Sequence, residues 1–176
     1  MNGHGSKMTL FILPALNLLF GALLYFIPRI DPKKQISASS PAYRGIRIIV
    51  AALFFMIFVI TLLAAMGKEI DVSRWLMGLV MLMFAGLGLY LPKLQPNYFA
   101  GIRLPWTLED PENWRLTHIL GGKVAMIAGG VGFVLVMVLP AIYGFVVVMA
   151  SALSLGLIPG IYSYRLYKAA ERKSAS

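Results

Sequence analysis

The run VAMIAGGVGFVLVMVLPAIYGFVVVMASALSLGLIPGIYSY, residues 124–164, contains no charged side chain. A bilayer core about 30 Å thick is crossed by roughly 20 apolar residues in helix, each adding about 1.5 Å. The run is about twice that length. Pro140, near its middle in VLPAIYG, disfavours one continuous helix. It therefore reads as two spans, 124–139 and 141–164, joined by a tight turn. Working outward, three more apolar stretches appear: TLFILPALNLLFGALLYFI at 9–27, IIVAALFFMIFVITLLAAM at 48–66, and a shorter one at 75–91. The expected fold is all-α: a polytopic transmembrane bundle of five spans filling residues 9–164, with tails at 1–8 and 165–176.

Composition agrees. Of 176 residues, 59% are hydrophobic and 13% charged, against roughly 45–50% and about 25% in soluble domains. Mean hydropathy is +0.79. A soluble chain this short could not bury so much apolar surface. With no cysteine, disulfides, thiolate metal sites and a cysteine nucleophile are excluded. The first apolar stretch is too long for a signal peptide's core, and no small-residue cleavage site follows it.

The net charge of +9 is distributed by side. The N-terminal tail carries Lys7 alone. Arg29, Lys33, Lys34, Arg44 and Arg47 outweigh Asp31 in the first loop, whereas Lys68 and Arg74 balance Glu69 and Asp71 in the second. The third loop, 92–123, is slightly basic, the turn at Pro140 is uncharged, and the tail carries Arg165, Lys168, Arg172 and Lys173 against Glu171. Basic and neutral segments alternate with each crossing. The positive-inside rule then places the N-terminus outside and the C-terminus in the cytoplasm. The charge is explained by topology and lipid headgroups, so no direct nucleic-acid binding is expected.

Between spans three and four lies LPKLQPNYFAGIRLPWTLEDPENWRLTHILGGK, residues 91–123. Pro92, Pro96 and Pro105 argue against regular helix at its start, and Gly101 permits a positive φ or a close backbone approach. Asp110 followed by Pro111 and Glu112 reads as a helix N-terminus. That short interfacial helix, feeding into span four, places Trp114, Thr117, His118 and Gly121 on one face. Trp106 and Trp114 suit headgroup depth.

The string NYFAGIRLPWTLEDPENWRLTHILGGK resembles the signature of the SdpI family of bacterial membrane proteins. The matching positions are Asn97, Tyr98, Gly101, Ile102, Arg103, Pro105, Trp106, Thr107, Leu108, Trp114, Thr117, His118 and Gly121. Leu104 departs from the threonine often found there. PRIDPKK, residues 28–34, is also similar to a family segment. NGHGSK, residues 2–7, is similar to the end of a small domain that often precedes the family, so the chain is expected to begin after that domain's first span. The resemblance implies a multi-pass protein of the bacterial cytoplasmic (inner) membrane that confers immunity to a secreted toxic peptide. It also implies signalling by capture of a cytoplasmic transcriptional repressor. Neither enzymatic activity nor a cofactor comes with it. Candidate partner-binding residues are Asn97, Gly101, Arg103, Pro105, Trp106, Thr107, Trp114, Thr117, His118 and Gly121, with membrane lipids as the general partner.

Each candidate also has a plainer reading. Arg103 has the planar fork that binds a carboxylate or phosphate, yet it could pair with Glu109, Asp110 or Glu112 and pin the loop. His118 titrates near neutrality when unperturbed, but a cap or loop hydrogen bond is the commoner use. Its only histidine companion, His4, lies across the membrane, so no metal site is expected. Asn17, inside span one, suits an interhelical hydrogen bond. Gly78, Gly86, Gly88, Gly121, Gly122, Gly129, Gly130 and Gly132 suit close helix approach, and Pro159 suits a kink. No ionisable residue lies well inside a span, which disfavours charge-coupled transport. The competing functions are a small-solute or lipid-interacting transporter without a toxin partner, and an intramembrane enzyme acting on a lipid phosphate through Arg103 and His118.

Overall fold

The computed structural model describes residues 11–30 and 40–174; the side chains of Arg29, Ile30 and Ser174 are not described. Residues 2–7 with His4, the start of the first expected span at 9–10, and residues 31–39 of the first loop lie outside this range. All regular structure among the described residues is helical: α1 (Ile12–Ile30), α2 (Pro41–Ala65), α3 (Val72–Gly88), α4 (Pro105–Glu109), α5 (Pro111–Val138) and α6 (Gly144–Ser174). Short 3-10 turns stand at Leu91–Lys93 and Ala141–Tyr143.

Four segments are long and apolar enough to cross a membrane: Pro41–Ala65, Val72–Lys93, Pro111–Val138 and Ala141–Lys173. A fifth apolar helix, Ile12–Pro28, is shorter. Helices α2, α3 and α5 begin before the apolar stretches that announced them, because caps set their ends. Ser40 accepts from the Tyr43 N–H with Pro41 in the first turn. Asp71 accepts from the Arg74 N–H at 3.0 Å, and Asp110 accepts from the Glu112 N–H at 2.8 Å. Such side-chain oxygens satisfy backbone donors that the helix itself leaves unpaired.

The interfacial helix and span four are one uninterrupted helix. At 28 residues α5 is about 42 Å long, longer than the hydrocarbon core by about two turns. It ends at Leu139, and Pro140 starts the tight turn into α6. Helix α6 then passes through Pro159 and continues to Ser174. The overhangs at the start of α5 and the end of α6 lie at the same end of their hairpin, where the 91–110 segment packs.

Helix α5 is the centre of the bundle, between α3 and α6, while α2 packs on α3 and α1 on α2. Small residues set the α3–α5 distance. A Cβ on Gly88 would lie 2.7 Å from the Gly122 carbonyl oxygen, and one on Gly122 equally close to the Gly88 carbonyl. Van der Waals packing at such contacts is what joins helices in lipid. Gly130, by contrast, faces open space. The expected interhelical bond of Asn17 is present, from its amide to the Ala51 carbonyl at 3.4 Å. A second tie was not foreseen: the Tyr43 hydroxyl, almost wholly buried, donates to the Leu24 carbonyl. Nor was the role of Arg74, which donates to the carbonyls of Met137 (3.1 Å) and Leu139 (3.4 Å) and so closes the end of α5.

Candidate functional site: the 91–121 segment on α5 and α6

The segment between α3 and α5 folds back on α5 as a polar lock. It begins with Asn97, 1% exposed, whose side-chain oxygen accepts from Phe99 N–H (2.9 Å) and Ala100 N–H (2.7 Å). The Asn97 amide donates to the Gln95 carbonyl at 2.8 Å. This short polar side chain replaces the turn's missing backbone partners.

The chain then reaches Gly101 at φ +112°, a conformation open to glycine but strained for other residues. The position is doubly restricted, because a Cβ there would collide with His118 Nε2 and come within 3.3 Å of the Trp114 ring. The next backbone N–H, of Ile102, meets His118 Nε2 at 2.9 Å. An N–H can only donate, so Nε2 is the acceptor. Nδ1 therefore carries the proton and donates to the Trp114 carbonyl at 2.8 Å. Both nitrogens of this fully buried ring are thus committed to backbone, with no lone pair left for a metal or substrate. The Trp114 indole stacks on the imidazole at 4.0 Å between centroids and donates to the Leu94 carbonyl at 2.8 Å.

Trp114 is 1% exposed, so it is not the headgroup-level anchor the sequence suggested. A bond to the preceding loop satisfies its N–H, and the ring fills the space between that loop and α5. The expectation that prolines exclude helix here also needs correcting. Pro92 lies in the 3-10 turn and Pro105 opens α4, first-turn positions where the missing N–H costs nothing.

Helix α4 is held by Thr107, wholly buried. Its hydroxyl accepts from the Leu104 N–H (2.9 Å) and lies 3.0 Å from the Ile102 carbonyl and 2.9 Å from that of Leu104. Trp106 projects to α6, donating to Ser163 Oγ at 3.0 Å and stacking among Tyr164 and Tyr167. Beneath it, the Asn113 amide donates to the Ser163 carbonyl at 3.0 Å, and Thr117 donates to Asn113 Oδ1 at 3.0 Å. Asn113 and Ser163 escaped the sequence reading. Asn113 sits one residue before Trp114, and Ser163 stands in α6, distant in sequence from the motif. Ser163 offered only the hint of a polar residue within an uncharged, largely apolar run, and Asn113 only its place in the first turn of α5.

The face predicted for Trp114, Thr117, His118 and Gly121 is buried throughout. At Gly121, the missing side chain leaves room for Ile102 Cδ1 and Pro159. Nine of the ten candidates therefore build one connected structure. Arg103 stands apart as the charged side chain among them: exposed, as are Gly101 and Pro105, it donates through Nη1 to the Tyr98 carbonyl. It forms no ion pair with Glu109, Asp110 or Glu112; Glu112 instead pairs with Arg115 at 2.7 Å.

The bundle and its locked polar segment define a multi-pass α-helical membrane protein in which both His118 nitrogens are bonded to backbone. Residues 93–163 match the SdpI/YfhL protein family. The chain is also 26% identical over 164 residues to the Immunity protein SdpI of Bacillus subtilis (strain 168), an alignment covering 92% of this chain and 75% of that protein. Together the two findings support membership of the SdpI family. No solved structure matches.

Proposed function

We propose that this chain is an immunity-type protein of the bacterial inner membrane that protects against a toxic membrane-active peptide. The observation that carries the reading is the alignment with an immunity protein along 92% of the chain. The peptide binds within the bundle or on its outer face, and the 97–123 segment, on the cytoplasmic side, reports that state to a soluble repressor. Binding can shift the bundle only through differential affinity for two arrangements. The tie from Trp106 and Asn113 to α6 gives such a shift a route to the surface at Arg103.

The experiment is survival of a sensitive bacterium challenged with secreted toxic peptides, comparing cells without the protein, with it, and with Arg103→Ala at matched membrane levels. Protection by the wild-type chain supports immunity. Its loss in Arg103→Ala assigns the exposed guanidinium a working part, because that residue contributes little to packing. Retained protection places immunity in the spans alone. No protection against any peptide overturns the reading and favours a transporter-like role.

A further inference from the structure

Away from the motif, α1 and α2 enclose a cleft of about 340 Å³ lined by Asn17, Gly21, Leu24, Arg44, Arg47, Ile48 and Ala51. The helices run antiparallel there, since Tyr43 reaches the Leu24 carbonyl and Asn17 reaches that of Ala51. Polarity therefore changes along the cleft. Its mouth, towards the C-terminal end of α1 and the N-terminal end of α2, carries two guanidiniums. Its wall is apolar through Leu24, Ile48, Gly21 and Ala51, and the Asn17 amide marks the far end, about 10 Å along the helix.

Neither arginine has an acidic partner among the described residues, where the ion pairs are those of Arg74, Arg115 and Lys168. Arg47 lies over the Tyr25 ring, 5.7 Å from its centroid, which fixes the charge beside the opening. The room in the cleft comes from Gly21, where an added Cβ would meet nothing within 4 Å.

We propose that this cleft is a binding site for an anionic phospholipid. The phosphate sits between Arg44 and Arg47, and one acyl chain lies along Gly21 and Ala51. The mouth is cationic, the wall is apolar, and the cleft lies between the apolar helix α1 and α2, which is long enough to cross a membrane. A phosphate-headed amphiphile complements all three features, and paired guanidiniums suit its geometry.

The test uses the full chain purified in detergent and analysed by native mass spectrometry with phosphatidylglycerol, phosphatidylcholine or inorganic phosphate. The wild-type protein is expected to retain several-fold more phosphatidylglycerol than phosphatidylcholine. Arg44→Gln with Arg47→Gln should abolish that preference. Gly21→Leu projects a side chain into the cleft from a position where an added Cβ meets nothing within 4 Å, and should reduce retention of phosphatidylglycerol while leaving the melting curve in place. Equal retention of the two lipids by wild type overturns the proposal, as does a preference that survives Gly21→Leu. Capture of inorganic phosphate that Gly21→Leu leaves untouched would assign the arginines to a free anion and overturn it as well.

Discussion

His118 Nε2 accepts the backbone N–H of Ile102, sixteen residues earlier, at 2.9 Å, with no side chain at Gly101 to come between them. The motif's histidine and its glycine are thus two halves of one contact. The imidazole works as a backbone cap for a loop that has no helix or strand of its own. His118→Ala should leave the Ile102 N–H buried and unpaired, costing about 1–3 kcal/mol. The unfolding midpoint in detergent, followed by tryptophan emission, should fall, because Trp114 stacks on the lost ring. An unchanged midpoint would argue against this role.

Gly101→Ala tests the other half. The substitution combines a left-handed backbone with a collision against the imidazole, and a cost of about 1–3 kcal/mol is expected from the backbone strain alone. Thermal unfolding of the purified protein measures it. A stability equal to wild type would mean that the loop adopts another path.

The α4–α6 tie can be isolated with a double-mutant cycle. Trp106→Phe retains a ring but removes the donor, and Ser163→Ala removes its acceptor. Their coupling should be about 0.5–1.5 kcal/mol, the range of side-chain hydrogen bonds between membrane helices. Additive effects would show that the indole N–H bonds elsewhere. Asn113 is unaffected by either change, because it uses the Ser163 backbone carbonyl.

Two glycines on α5 make a matched comparison. A methyl group at Gly122 meets the Gly88 carbonyl at 2.7 Å, backbone that cannot yield without moving α3. Gly130 has open space in the same helix. Gly122→Ala should lower the unfolding midpoint measurably, whereas Gly130→Ala should remain within about 0.5 kcal/mol of wild type. Equal effects at both sites would remove the close α3–α5 approach as their cause.

The sequence by itself determined the all-helical class, the apolar segments, the turn at Pro140 and the face of α5 that carries Trp114, Thr117, His118 and Gly121. These follow from local physics: backbone groups in lipid must pair within their own segment, and side chains three and four apart share a helix face. The sequence also singled out Gly101 as special, since few other reasons put a glycine between a turn and a proline-bounded stretch. Hydropathy could not say where α2 begins, because a cap depends on one polar atom rather than on an average; the start of α5 was legible only from Asp110, Pro111 and Glu112. The rest belonged to the tertiary structure alone. Trp114 looked interfacial until its N–H found the Leu94 carbonyl, and Arg103 looked paired with acids until it turned to the Tyr98 carbonyl. Asn113 and Arg74 gained roles only from carbonyls on other helices, and Ser163 only as the acceptor for Asn113 and Trp106. A buried polar group is defined by the partner that satisfies it, and in this bundle those partners lie as much as 65 residues away in the chain.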